Sequence, residues 1–336
     1  MKSFKYDPVF KYLCVQNCIF HILNILGCKN SKHLMRCPIN YHAKKNYLLE
    51  DKSVYKILFQ KPNTNQCMLS LVDFKVFSSE DTEKIWSENK KMLNHGMPII
   101  ALVDVYYLHY RKEYQNLHGS HAVIVVDYYE DKGSVKIVDW YEPYFFIGLV
   151  KLNDFIRARN SENPKCANPY SGTPISNEWL YIFPNKYEVT KEDCLLENLS
   201  LSLRINDSKE EIYGTNSIKQ IIILTESNSS KEYFKELHEN LFPLWRLYDL
   251  LFSNIQEVIN NYSNKLCLNT LLEYKNKFHE LLFLILKLSV KFNEKSHEQL
   301  LKNIEAFYCY TQEMYDILQG INSFLLLKKQ GGYTYD

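Results

Sequence analysis

Apolar residues follow two different rhythms along this chain. In the first half they run in short blocks between turn signals: PIIALVDVYY, HAVIVVDYY, SVKIVDW and WLYIF combine β-branched and aromatic residues in strand-like stretches. In the second half they recur every three or four positions, in CLLENLSLSLRI, SIKQIIILTE, LFPLWRLYDLLFSNIQEVI, LLEYKNKFHELLFLILKLSVKF and LLKNIEAFYCYTQEMYDILQGINSFLLL. The breaks between these helices carry Asn, Ser and Gly, as in TESNSSKEY and NNYSNKL. The pattern predicts an α+β domain over residues 1–186 and an all-helical domain over 187–336. No internal repeat or low-complexity tract interrupts it, and the closing KKQGGYTYD reads as a frayed tail.

Near the N-terminus, YLCVQNCIFHILNILG repeats at helical spacing. At about 100° per residue, Asn17, His21 and Asn24 form a narrow polar stripe. Val15, Cys18, Ile19, Ile22, Leu23, Ile25 and Leu26 cover the rest, which predicts a mostly buried helix stopped at Gly27. Cys14 falls in the first turn and Cys18 one turn further in, toward the apolar face. The helix dipole and the amides at a helix start favour a thiolate, and those amides can also hold a developing oxyanion. Cys18 has neither advantage and reads as a small core residue.

A second cluster of chemistry lies in NLHGSHAVIVVDYYEDKGSVKIVDWYEP. Two strand-like runs flank the turn signal EDKG, so they pair as an antiparallel hairpin. His121 opens the first strand and Asp139 closes the second, at the same end of the hairpin. If Val123 opposes Asp139, His121 and Asp139 share a face; a register shifted by one residue separates them. A thiol at a helix start, a histidine to take its proton and a carboxylate to fix the tautomer make a set suited to nucleophilic catalysis.

Composition narrows the partners. The 336 residues include 40 basic and 39 acidic side chains, a balance without the footprint of a nucleic-acid binder. No signal-peptide pattern opens the chain and no apolar run reaches membrane-spanning length, which predicts a cytoplasmic protein without a membrane partner. Nine cysteines, odd in number and irregularly spaced, read as free thiols. The spacing of Cys14, Cys18, His21 and Cys28 is not a usual zinc pattern, so no metal is expected.

The stretch CVQNCIFHILNILG resembles the active-site helix of papain-like and bacteriocin-processing cysteine peptidases, and more closely that of the butirosin biosynthesis protein H family. GMPIIALVDVYYLHYRKEY, HGSHAVIVVDYY and IVDW resemble the same family. The resemblance implies a papain-like cysteine peptidase fold, a helix packed on an antiparallel sheet, with Cys14, His121 and Asp139 as the catalytic residues. It further implies amide formation by acyl transfer from a carrier-protein thioester to a small amine. The acyl or peptidyl carrier protein is then a partner, and its phosphopantetheine arm belongs to the substrate; no other cofactor is implied. One position departs from the papain pattern, since Pro8 stands where an oxyanion-hole glutamine is expected. Gln16 lies inside the helix and does not substitute, which leaves backbone amides near Cys14 or another side chain.

His121 is otherwise a strand-end histidine and Asp139 a turn cap, while His118 suits a loop or supporting role. Asp104, Tyr106, Tyr107 and Tyr110 follow the PIIALV strand and are candidates, with His118, to line the acyl pocket; half-buried aromatics at strand ends are more often packing. The helices after residue 229 serve as core, lid, carrier-docking surface or homodimer contact. Three functions remain open on sequence: an acyltransferase, a hydrolase using the same residues with water, and a binding module that keeps the fold without the chemistry.

Overall fold

In the computed structural model the described residues are 13–39, 42–46, 54–57, 69–71, 73–141, 144–168, 170–183, 189–203, 211–259 and 265–330. In chain order the elements are α1 (Cys14–Ile25), β1 (His42–Asn46), β2 (Val54–Ile57), β3 (Phe74–Phe77), α2 (Thr82–Asn94), β4 (Ile99–Asp104), β5 (Ser120–Tyr129), β6 (Ser134–Tyr141), β7 (Tyr144–Lys151), α3 (Leu152–Arg159), β8 (Trp179–Ile182), α4 (Lys191–Ser202), β9 (Glu211–Tyr213), α5 (Gly214–Ser227), α6 (Lys231–Ile259), α7 (Lys265–Val290) and α8 (Glu294–Lys329). They divide into two units: Met1–Met35 with Pro62–Val189, and Arg36–Lys61 with Thr190–Asp336.

The first unit is α+β. Its six-stranded sheet has the order β3-β8-β4-β5-β6-β7, and each neighbouring pair runs antiparallel. Val123, Val125, Val135, Ile137, Ile99, Ala101 and Val103 pack with Phe155 and Trp179 into one core. His121 through Val126 are all buried, because both faces of β5 are covered; this is why that strand reads as an unbroken apolar run instead of alternating.

α1 packs against β4, β5, β6 and β8. Residues Gln16 through Leu23 are buried, including the polar Asn17 and His21. The stripe expected to be merely polar is therefore partly a strand contact: Asn17 Nδ2 donates to the Trp140 carbonyl at 2.7 Å, and His21 meets the Trp140 ring edge-on. The helix ends as predicted. Gly27 adopts φ +85°, and Cys28 N–H and Gly27 N–H donate to the carbonyls of Leu23 and Asn24, closing a Schellman motif.

The second unit is mainly helical, with α6, α7 and α8 packed in sequence and α4 against α6 and α8. It is not all-helical, as the residue pattern had predicted. A three-stranded antiparallel sheet of order β2-β1-β9 belongs to it, and β9 lies within residues 187–336. Three residues of β9 are too few to show a period, and β1 and β2 come from the distant segment 36–61. Among the described residues, no helix is long and apolar enough to cross a membrane.

Candidate active site

The β5–β6 hairpin brings His121 and Asp139 together, and a β-bulge decides that it does. Next to the turn the pairs are Asp127↔Lys136, Tyr128↔Val135 and Tyr129↔Ser134; beyond the bulge they are Val125↔Ile137 and Ile124↔Val138. The second register, continued by one residue, sets Val123 opposite Asp139. His121, two residues from Val123, then points to the same face as Asp139. Had the turn-side register continued, Ile124 would oppose Asp139 and His121 would face the other way.

The result is a close pair. His121 Nε2 lies 3.0 Å from both Asp139 Oδ1 and Oδ2, with the two residues 4% and 1% exposed. The Cys14 thiol, at the first residue of α1, shares a hydrogen bond with the same imidazole. His121 Nε2 is the nitrogen that Asp139 engages. The helical ladder of α1 begins with Asn17 N–H donating to the Leu13 carbonyl, so the amides of Cys14, Val15 and Gln16 are not part of it. Pro8, the position that departs from the papain pattern, lies outside the described residues.

Electrostatics favours a charged pair. Burial pulls the His121 pKa down, but the charge and hydrogen bond of Asp139, joined by Cys14, outweigh it and raise the group from 6.5 to about 9. Cys18 behaves differently: burial first, then the negative charges of Cys14 and Asp139, push its thiol well up, and its Sγ donates to the Ala122 carbonyl at 3.5 Å. Of the two thiols on α1, only Cys14 sits where an imidazolium can stabilise its ionised form.

The raised His121 pKa carries a stability consequence. A group more basic in the folded state stabilises fully below its unfolded pKa and loses that contribution as pH rises through the folded value. Here the window runs from about 6.5 to about 9 and is worth on the order of 3 kcal/mol. The urea midpoint of the protein is therefore expected to fall across that window, and to fall much less in His121→Gln.

The residues expected to line an acyl pocket take mixed places. Asp104 is fully buried at the end of β4. Its Oδ1 accepts from the amides of Tyr106 (3.1 Å) and Gly119 (3.0 Å), and its Oδ2 meets His118 Nδ1 (2.7 Å) and the Ser161 hydroxyl (2.6 Å). It thus anchors the turn that leads into His121. His118 stacks on Tyr106 with centroids 4.2 Å apart, and its side chain keeps 20% exposure. Tyr107 is half-buried, with the Arg157 guanidinium 4.9 Å from its ring centre. Tyr110 donates to Asp139 Oδ2 at 2.9 Å.

Arg111 escaped the residue pattern. Its Nη1 lies 3.4 Å from both His121 Nε2 and Asp139 Oδ2, and its Nε lies 3.4 Å from Glu113 Oε2. Phe146 escaped it too: it sits opposite Asp139 on β7 and stacks on Tyr110 at 3.8 Å. Both come from stretches without a usable period, a run of turns and an edge strand whose apolar residues Phe145, Ile147 and Leu149 face solvent. Among the described residues, no group of three or more His, Cys, Asp or Glu is gathered as a metal site.

Fold and site together define an α+β protein in which a half-buried cysteine at a helix start stands beside a buried histidine–aspartate pair on an antiparallel hairpin. Residues 54–140 are similar to the family described as "Butirosin biosynthesis protein H, N-terminal". That match contains His121 and Asp139, while Cys14 precedes it. No curated protein matches the chain.

Proposed function

We propose that this protein is a cysteine-dependent acyltransferase of natural-product biosynthesis, which forms an amide from a carrier-protein thioester and a small amine. The observation that carries the reading is the hydrogen-bonded chain from Cys14 through His121 to Asp139. The family match over residues 54–140 supports a biosynthetic role. The narrower form of the proposal is a protein like the amide-forming papain-like protein of closthioamide biosynthesis. The fold that accompanies it is papain-like, with the catalytic unit ending near residue 186.

In this reading the Cys14 thiolate attacks the thioester carbonyl carbon, and the new oxyanion is held by amides at the start of α1. The carbon–sulfur bond to the phosphopantetheine arm breaks, and the departing thiolate takes the proton of His121. The amine then attacks acyl-S-Cys14 while His121 accepts its proton. The Cys14 thiolate leaves, and one amide and one free carrier thiol have formed. Asp139 holds the imidazole toward the sulfur throughout. Tyr107 and His118 are the residues proposed to meet the acyl chain. Asp104 and Tyr110 are assigned instead to holding the site, since their polar atoms are engaged within it. Carrier docking or pairing of two copies is assigned to the helical unit.

A carrier-bound or pantetheine acyl thioester, supplied with and without a primary amine, tests this reading. The expected outcome is a transient acyl mass on the protein and amide as the main product. Release of free acid at the same rate with or without amine would instead make the protein a hydrolase. No acylation by any of several thioesters in a quenched time course would leave a binding module.

A further inference from the structure

The Asp139 carboxylate is held by more than His121. Its Oδ2 also receives the Tyr110 hydroxyl at 2.9 Å and Arg111 Nη1 at 3.4 Å. Burial, then the Asp139 charge, push the Tyr110 hydroxyl well above its usual range, so it stays a protonated donor. Its ring is fixed by the Phe146 stack from β7. The Arg111 side chain is only 9% exposed and is steadied from its other side by Glu113. One guanidinium nitrogen therefore stands equally close to the carboxylate and to the imidazole nitrogen that the carboxylate is meant to serve.

These contacts act in opposite directions on His121. Asp139 favours the imidazolium, whereas a positive charge 3.4 Å from Nε2 disfavours it and draws off part of the carboxylate's field. A histidine held too basic is a poor proton donor to the leaving thiol, and it stays protonated when it should be free to accept the amine proton. We propose that Tyr110 and Arg111 form a clamp on Asp139 that fixes its orientation and limits how tightly His121 keeps its proton, which makes both positioning residues of the catalytic pair. The proposal rests on the reading of Cys14 and His121 as that pair. The groups that face the pair are Cys14 and Cys18 from α1, Asp139 from β6, and Tyr110, Arg111 and Glu113 from the segment after β4. Asp104 ends β4 opposite Ser120 and pairs with His118 in the turn before His121.

The test is the pH dependence of Cys14 alkylation by iodoacetamide, followed by intact mass and peptide mapping. It compares the wild type with Arg111→Gln, Arg111→Lys, Tyr110→Phe and His121→Gln, each checked for a cooperative thermal melt. In the wild type, the step in the rate curve that marks His121 deprotonation is expected and must vanish in His121→Gln. Arg111→Gln should move that step up by about one pH unit. Tyr110→Phe should move it the same way by less, and Arg111→Lys, which keeps the charge, should leave it nearest the wild type. A step that stays in place or moves down in folded Arg111→Gln overturns the clamp while leaving the pair intact. A step that persists unchanged in His121→Gln overturns the pair itself and the clamp with it.

Discussion

Cys14→Ala is expected to abolish acyl transfer, with a loss of at least about 10³-fold, while Cys18→Ala keeps most of it. The two thiols lie one turn apart on α1, yet their surroundings differ in kind. Cys14 is half-buried at the helix start and shares a hydrogen bond with an imidazole raised to about 9. Cys18 is buried, its thiol pushed well up by that burial and its Sγ spent on the Ala122 carbonyl. In the proposed reaction, removing Cys14 takes away the thiol that carries the acyl group. Removing Cys18 costs packing, about 1 kcal/mol, because a small core side chain is shortened. Rates of amide formation, alongside thermal melts of both variants, check the contrast. Equal losses in both would mean that α1 is damaged as a unit and that neither thiol has the special role.

Asp139→Asn carries the second largest expected effect, a rate loss of roughly 10²–10⁴-fold with a stability loss of about 3 kcal/mol. The carboxylate is 1% exposed and meets His121, Tyr110 and Arg111. An amide in its place removes the charge that overcomes burial at His121, so the imidazole pKa falls and the neutral form prevails at pH near 7. The Arg111 guanidinium meanwhile loses one anionic partner in a site with little water. Urea unfolding and the rate of acyl transfer read the two losses separately. A variant as active as the wild type would remove Asp139 from the proposed chemistry.

How much of this was legible in the residues depends on whether a contact is written in a period. The α1 helix, its Gly27 stop and the two strands around EDKG are periodic or punctuated, and the structure has them. The shared face of His121 and Asp139 was legible only as one of two registers, since the bulge near Val126 sits in a run of apolar residues where an extra residue leaves no mark. Arg111 and Tyr110 belong to a turn-rich segment, and only folding brings them to Asp139. Phe146 reaches Tyr110 because β7 pairs with β6, and β7 exposes the apolar residues that would ordinarily signal burial. The strands of the second unit failed to show for a different reason: β1 and β2 are far from β9 in sequence, and β9 has its partner supplied by them.

In the proposed reaction Cys14, activated by His121, takes the acyl group. Mixing the wild-type protein with an acyl thioester, quenching within the first turnover and digesting locates the acyl mass among the cysteine peptides. The mass is expected on the peptide containing Cys14, assigned to Cys14 by fragmentation and absent from His121→Gln over the same interval. Acylation confined to Cys18 or another cysteine, or equal acylation of Cys14 in His121→Gln, would overturn that role for Cys14.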